Sequence, residues 1–389
     1  MKINIPDPKV IMLIGLLSNE GFRARLVGGA VRDIVAGTKP KDMDLATDAQ
    51  PHSVMEVARN ADLKVVATGL QHGTVTVVVD GVPYEVTTLR ADVETDGRHA
   101  EVRFISDFRE DACRRDFTFN AMSAEADGEL FDYFGGVQDL KNRRVRFVGG
   151  ARQRIEEDYL RILRFFRFRA RYGGSENVGE FDALRDGRDG LRAISVERVW
   201  SEISRILVHP RGLGQLETMS ELGISDVIGL PCFPDRMAVA SASAAIGASP
   251  GTCLGLLSRS PEEAEEIAIR WKLSNKEREQ AVTAATVLDD PETSPRYWLG
   301  RAVDGLNPGE AALVLTVTGR SEAAEALSGA IPSFPLRGRD LLSICEPGPR
   351  LGEIMNAAKE AWKDSGFIMT AEELVEFAER VFASRKAGM

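Results

Sequence analysis

Histidine and cysteine are scarce in this chain, four residues of each among 389, and each scarcity removes a class of chemistry. Cys113, Cys232, Cys253 and Cys345 are scattered and form no CxxC, so neither a disulfide framework nor a thiolate zinc site is in prospect, and reduced thiols in or near cores are expected. His52, His72, His99 and His209 are equally isolated, with no His-Asp pair, which leaves no histidine cluster for a metal and points to chemistry without a histidine base. Long apolar runs are missing too: none approaches the ~18 residues of a membrane span. The opening residues MKINIPDPK lack the apolar stretch of a signal peptide, so a cytoplasmic protein without membrane association is expected. There is no internal repeat and no low-complexity tract. With 43% hydrophobic and 28% charged residues the chain reads as globular, and its length exceeds one ordinary core, which implies several domains.

Basic charge is also short overall. A net charge of −10 argues against a nucleic-acid partner, because phosphate contacts need Lys and Arg. Its distribution argues the other way. Residues 141–171 hold eleven basic residues against three acids, a local +8 that leaves −18 for the remainder. An arginine stripe on an acidic chain suits selective docking of a structured RNA; the alternative is a solvated helix face.

The stretch RLVGGAVRDIVAGTKPKDMDLATD, residues 25–48, organises the rest. Leu26 and Val27 end a buried strand, Gly28 and Gly29 let the backbone approach a ligand, and residues 30–36 begin a helix whose free N–H groups attract phosphate. Gly37 ends that helix, and Pro40 interrupts the segment after it. Asp42 and Asp44 then stand at i and i+2 at the start of a second strand, so both carboxylates face one way. Phosphate beside two carboxylates requires divalent cations between them, and Mg²⁺ on Asp42 and Asp44 is the expected cofactor. LVGGAVRD followed by KDMDLATDA closely resembles the signature of the class II tRNA nucleotidyltransferase and bacterial poly(A) polymerase superfamily. The resemblance implies that Gly28, Gly29 and Arg32 contact a nucleotide.

Around this motif, residues 8–21 read as an amphipathic helix on Val10, Leu13, Ile14 and Leu17, residues 53–60 as a helix, and 63–68 as a strand. Residues 74–79 and 84–89 read as a hairpin turned at Asp80-Gly81. Glu85 lies in its second strand and is a candidate third acid beside Asp42 and Asp44, the alternative being an outward-facing strand residue. Residues 90–102 are polar and aperiodic, and a mobile loop beside the site is expected. CRRDFTFNAM, residues 113–122, resembles a second family motif. Arg115 is then the nucleotide contact, Arg114 and Asn120 are secondary candidates, Asp116 accepts from a sugar hydroxyl, and Phe117 and Phe119 anchor the segment. FDYFGGVQDL, residues 131–140, matches the closing segment of the family's catalytic head.

EDYLRILRFFR, residues 157–167, resembles a third motif. On a helix Asp158 and Arg161 stand at i and i+3 and present one acceptor beside a fork of donors. Cytosine and adenine both offer an exocyclic amino donor beside a ring acceptor, so one pair serves both bases; guanine and uracil present the reverse order. Glu157 is expected to orient Arg161, and the resemblance takes Arg164 and Arg167 to the triphosphate. SVERVWSEISRIL, residues 195–207, carries an ER…E pattern read as helix support for this pocket. Beyond about residue 211 strand signals vanish, and Ser260-Pro-Glu-Glu and Thr370-Ala-Glu-Glu read as capped helix starts.

The expected fold class is α+β. A mixed β-sheet nucleotidyltransferase head of the polymerase-beta-like palm type, residues 1–140, precedes an all-helical neck (141–210), body (211–330) and tail (331–389). The activity implied by the resemblance is template-independent addition of C, C and A to the tRNA 3′ end from CTP and ATP, with tRNA as partner and no protein partner evident. Addition of A alone or CC alone, a poly(A) polymerase, and a non-catalytic RNA-binding protein are the alternatives.

Overall fold

A computed structural model describes residues 1–95, 100–174 and 178–387. The elements are α1 (Pro8–Asn19), β1 (Ala24–Val27), α2 (Gly29–Val35), β2 (Leu45–Thr47), α3 (Pro51–Asn60), β3 (Lys64–Gly69), β4 (Thr74–Val79), β5 (Val82–Thr88), β6 (Arg90–Thr95), β7 (Ala100–Phe104), α4 (Phe108–Cys113), β8 (Ser123–Ala124), β9 (Leu130–Phe131), α5 (Gly136–Lys141), α6 (Ala151–Glu157), α7 (Leu160–Tyr172), α8 (Phe181–Gly187) and α9 (Val196–Leu207). From there the described chain is helical: α10 (Leu213–Glu221), α11 (Ile224–Ile228), α12 (Pro234–Ala245), α13 (Pro250–Leu257), α14 (Pro261–Arg270), α15 (Asn275–Asp289), α16 (Pro295–Val303), α17 (Pro308–Val317), α18 (Ser321–Ser328), α19 (Pro349–Asp364) and α20 (Ala371–Ala387). The expected mixed-sheet head with a helical remainder is the observed architecture. No helix among the described residues is long and apolar enough to cross a membrane.

Two compact units result, one of residues 1–206 with 214–230 and one of 207–213 with 231–389. In the first, seven strands run in the order β3-β4-β5-β2-β1-β8-β9, antiparallel except for the parallel β2–β5 pair. β2 is the central strand, and β1 beside it is buried along its whole length, with Leu26 opposite Leu45 of β2 and Ala124 of β8. The β4–β5 hairpin turns at Asp80-Gly81, both at positive φ as a two-residue turn of this hand requires. α1 lays Val10, Leu13, Ile14 and Leu17 inward, the four positions its periodicity marks. Residues 90–102 are expected as a loop, and those of them that are described, 90–95 and 100–102, instead lie in the antiparallel strand pair β6–β7, with a register shift between Asp92 and Thr95. Aperiodic polarity conceals it, because a two-stranded ribbon need not bury one face. His99 lies outside the described residues.

The RRDFTFNA segment is held by a short antiparallel pairing with residues 146–148: Thr118 N–H donates to Arg146 O, Val148 N–H donates to Asp116 O, and Phe117 bridges Phe147. Phe117, Phe119, Phe147, Phe165 and Phe168 pack ring on ring with centroids 4.8–6.3 Å apart, which ties this segment to α7. Backbone also packs tightly at Gly136, where a β-carbon would lie 2.5 Å from Thr118 O and 2.7 Å from Phe119 Cα.

In the second unit α13 is buried almost throughout and crosses α15 closely, because Gly251 and Gly255 leave room for the carbonyls of Glu277 and Ala281. Ser260 caps α14, and Thr370 with Glu373 closes a reciprocal capping box at α20. A further box, Ser274 with Glu277, starts α15 and adds to the two expected from the sequence. Leu336, Leu341, Ile354, Ala358, Trp362 and Leu374 form a separate core near the C-terminus. Cys253 and Cys345 are buried, Cys113 and Cys232 are half-buried, and none of the four is in a disulfide.

Gly136→Ala should destabilise the protein by about 1–3 kcal/mol, since backbone rather than a flexible side chain must move. Gly15→Ala should stabilise it by about 0.5–1 kcal/mol, because nothing lies within 4 Å of that added methyl. Urea unfolding of both variants checks the pair.

Candidate active site

β1 ends at Val27, and the chain turns at Gly28 with φ +66° and ψ −126°, a conformation side chains resist. Space excludes a side chain too, because its β-carbon would sit 2.6 Å from Arg115 Nη1. α2 starts immediately after. Asp42 and Asp44 come just before β2 rather than inside it, and Val27 N–H donates to Asp44 O at 3.0 Å, which fixes this acid against β1. The parallel register that sets Leu45 opposite Val86 places Asp44 level with Glu85, whose side chain is exposed while Tyr84 and Val86 beside it are buried. Displacement of water by surrounding protein, then the charges of Glu85 and Asp42, raise the Asp44 carboxyl above its ordinary value against a smaller pull from Arg115.

Asp42 and Asp44, but not Glu85, line a cavity of about 580 Å³ together with Gly28, Gly29, Arg32, Arg115, Asp116, Asn120, Asp158, Leu160, Arg161, Arg164, Arg167, Phe168 and Arg198. Six arginines share that wall, and each has a carboxylate partner: Arg32 with Asp33 (2.8 Å), Arg115 with Asp111 (3.4 Å), Arg161 with Glu157 (2.5 Å), Arg164 with Asp116 (2.5 Å), Arg167 with Glu202 (2.5 Å) and Arg198 with Asp158 (2.8 Å). The carboxylates of Asp42 and Asp44 have no hydrogen bond or ion pair among the described residues. The wall is therefore balanced apart from two unopposed carboxylates, and an anionic phosphate chain entering it needs cations there. That donor set, hard oxygens close to an anion site, fits Mg²⁺. A tighter trio, Glu125, Asp127 and Glu129 with atoms within 4.8 Å, lies at the β8–β9 turn, where Arg25 holds Glu125 and Lys2 holds Asp127.

Asp116 differs from its expected role. Its Oδ1 accepts from Phe117 N–H (2.8 Å) and Asn120 Nδ2 (2.9 Å), and its Oδ2 accepts from Arg164 Nε (2.8 Å) and Nη2 (2.5 Å). Those four donors fill a carboxylate's capacity and leave no lone pair for a sugar hydroxyl. Burial alone would raise this carboxyl; Arg164 and the Asn120 and Phe117 donors overcome that and hold it below its ordinary range. Its effect is to orient Arg164.

Asp158 and Arg161 do not share a helix. α6 ends at Glu157, Asp158 is extended at φ −156° and ψ 104°, and α7 starts at Leu160. Asp158 Oδ1 caps α7 by accepting from Leu160 N–H (3.1 Å), and Oδ2 accepts from Arg198. Arg161 Nη1 donates to Glu157 Oε2 and to Arg154 O (2.8 Å), and Nη2 donates to Arg114 O (3.3 Å), so Glu157 does hold Arg161 and two of its five N–H groups stay uncommitted. The arginines of α7 are not a solvated stripe. Arg161, Arg164 and Arg167 recur at three-residue steps and turn into the cavity, while Ile162, Leu163, Phe165 and Phe166 face the core.

Sequence reading does not find Phe168, Arg198 or the partners Asp33, Asp111, Glu202 and Tyr172. Phe168 underlies Arg167 at 4.2 Å, Arg32 at 5.1 Å and Arg164 at 5.7 Å from its ring centre. Arg198 and Glu202 are the R and final E of the ER…E pattern, one turn apart on α9; the signal is there, but nothing in it names the residues they meet. Asn120 lines the cavity, whereas Arg114 stands behind it, bonded to Asp111 at 2.9 Å.

Comparison with known proteins agrees with this geometry. Residues 24–146 match the family model described as the poly A polymerase head domain. The mouse protein named CCA tRNA nucleotidyltransferase 1, mitochondrial, is 34% identical over 98% of this chain and 93% of its own length. The CCA-adding enzyme of Bacillus velezensis is 32% identical over 97% and 94%. Among solved structures, the Bacillus stearothermophilus CCA-adding enzyme in complex with CTP superposes with a TM-score of 0.81 over the full length of both chains at 26% identity. With a motif-bearing head, a helical remainder and near full-length identity above 30%, the chain belongs to the CCA tRNA nucleotidyltransferase family.

Proposed function

We propose that this cavity selects CTP and ATP and that the chain adds C, C and A in turn to the 3′ end of tRNA, releasing pyrophosphate. The observation that carries this reading is the meeting, in one cavity, of two unopposed carboxylates, Asp42 and Asp44, with the base-reading set Asp158 and Arg161. The 3′-hydroxyl of tRNA attacks the α-phosphate, and the bond to the β-phosphate oxygen breaks. Asp42 and Asp44, with Glu85 beside them, hold Mg²⁺, which when bound supplies charge neutralisation at the phosphates and acidifies the attacking hydroxyl. Arg32, Arg115, Arg164 and Arg167 bind and orient the triphosphate over Gly28 and Gly29, with Asp116 as the residue that positions Arg164. Glu157 orients Arg161. Asp158 accepts from the exocyclic amine of cytosine or adenine and Arg161 donates to the ring acceptor next to it.

The head, residues 1–140, carries the chemistry, the neck, 141–210, reads the base, and body and tail, 211–330 and 331–389, hold tRNA. A cytoplasmic location completes the reading. The poly(A) polymerase alternative rests on the head alone, which both groups share, whereas the full-length relatives are CCA enzymes. A non-catalytic RNA-binding protein is disfavoured by the complete acid and arginine set.

Incubation with tRNAs lacking CCA, ending in CC, or intact, with each labelled nucleotide in turn, tests the activity. Expected is CTP then ATP incorporation, stopping after one A; long A tails on unstructured RNA would instead support a poly(A) polymerase.

Asp42→Ala or Asp44→Ala should lower C and A addition alike by more than about a hundredfold with tRNA binding retained. Asp44 also carries a stability consequence. Its folded-state pKa lies above the unfolded one, so the charged form costs stability at pH above both, and that cost lifts as pH falls through the folded value. Asp44→Asn should therefore raise the melting temperature at neutral pH in chelator, with the gain shrinking towards acid pH, while Mg²⁺ stabilises the wild type more than the variant.

Asp158→Ala and Arg161→Ala should each lose discrimination against UTP and GTP by about tenfold or more, since a mismatched buried donor or acceptor costs ~1–3 kcal/mol. Steady-state incorporation of all four nucleotides is the measurement. An equal proportional loss for all four would place base reading elsewhere.

A further inference from the structure

The C-terminal end of α7 reaches a part of the site that base reading does not explain. Tyr172, its last residue, donates from its hydroxyl to Asp33 Oδ1 at 2.5 Å and accepts from Arg32 Nε at 2.9 Å. Arg32 is buried, its Nε and Nη2 donate to the same Asp33 oxygen at 2.9 and 2.8 Å, and its Nη1 donates to Asn120 Oδ1 at 2.7 Å. Three of its five N–H groups are thereby fixed in direction. The two left belong to Nη1 and Nη2, and Nη2 sits 3.5 Å from where a β-carbon on Gly29 would be, over the turn that opens the phosphate end of the cavity. The Tyr172 ring stacks on Phe168 at 6.1 Å and tilts against Phe119 at 5.7 Å, so the hydroxyl is held by packing on both sides. Burial pushes the phenol up to about 12, and the bond to Asp33 adds to this against Arg32 and Arg171, so the group keeps its proton at working pH and remains a donor to Asp33.

We infer that Tyr172 is a positioning residue that fixes Arg32 for the nucleotide's phosphates, so that α7 carries groups that act at both the base-reading and the phosphate-binding ends of the site. The inference rests on the nucleotide reading proposed above. Arg161 near the start of α7 and Tyr172 at its end are separated by a rise of about 16 Å. One rigid helix thus sets the distance between the group that reads the base and the group that aligns the triphosphate. Both nucleotides use the same phosphate hand, so disturbing Tyr172 affects C and A addition equally, whereas disturbing Asp158 or Arg161 changes the choice between bases.

Tyr172→Phe removes one oxygen and keeps the ring. The expected result is a fall in kcat/KM of about three- to tenfold, equal for CTP on tRNA lacking CCA and for ATP on tRNA ending in CC. Selectivity against UTP and GTP should be unchanged, and the melting temperature should move by no more than about 2 °C. A double-mutant cycle supplies the readout that a purely structural tyrosine would not move: in an Arg32→Lys background Tyr172→Phe should cause no further loss, while in an Arg164→Lys background the losses should multiply. Asp33→Asn provides a second entry to the same unit and should reproduce the equal loss. Normal kinetics for Tyr172→Phe, multiplicative losses with Arg32→Lys, or a changed C-to-A preference would each overturn the inference. A wild-type protein that incorporates neither nucleotide would overturn the underlying reading instead, so the two failures are distinct.

Discussion

Six guanidiniums converge on one cavity, and their mutual repulsion is the constraint on which the site depends. A buried cation without a partner is costly, and a buried pair broken by loss of one member typically costs about 3–5 kcal/mol. The chain meets this by giving each wall arginine its own carboxylate, drawn from five stretches: Asp33 from α2, Asp111 from α4, Asp116 from the RRD motif, Glu157 and Asp158 from the α6–α7 junction and Glu202 from α9. Three of these pairs, Arg164–Asp116, Arg167–Glu202 and Arg198–Asp158, also span separate elements and so tie α7 to the RRD segment and α9 to α7 and to the α6–α7 junction. Carboxylate partners leave part of each guanidinium's fork unused, so charge is balanced without all donors being consumed. Asp42 and Asp44 are exempt. Their isolation and the raised Asp44 carboxyl mark where the balance is left open for an incoming ion.

A second layer stands beneath the first. Phe168 carries three arginines over one ring, and Phe117 and Phe119 of the RRDFTFNA motif pack on that same ring from the head side. A flat apolar face under several cations limits their rotamers without consuming their hydrogen-bond donors, which keeps those donors available for a ligand. The motif's phenylalanines are therefore not mere filling between charged residues. Through Phe168 and through Asp116 they join the strand-bearing head to the helix that carries Arg161, so the residues aligned with chemistry and those aligned with base choice share one packed support.

Much of this is legible in the sequence because the relevant signals are local. The GG turn, the Asp80-Gly81 hairpin and the spacing of α1 depend on nearest-neighbour backbone rules, and each stands where those rules put it. The β6–β7 pair escapes them because its polar sequence carries no period. Asp116 reads as a sugar contact because an RRD triplet does not state that Arg164, forty-eight residues later, will saturate it. A single helix carrying both Asp158 and Arg161 is the wrong expectation for a related reason: EDYLR has helical spacing and no breaker, and only the tertiary pull of Arg198 and the cap on Leu160 reveal the interruption. Long-range partners of charged residues are the part on which the sequence is silent.

In the base-reading role proposed above for Asp158 and Arg161, that interruption has a physical consequence for selectivity. Had Asp158 been inside a continuous helix, its side chain would lean along the i, i+3 row towards Arg161, and the two would satisfy one another as an ordinary surface pair. Extended backbone at Asp158 instead turns the carboxylate to cap α7 and to meet Arg198, while Arg161 is claimed by Glu157. Acceptor and donor thus stand in the same cavity without being bonded to each other. A reader made of protein side chains needs this separation, because a pair that has closed on itself has nothing left to offer a base. The third partners, Glu157 and Arg198, are what keep the two apart, and the helix break is the backbone feature that gives them access.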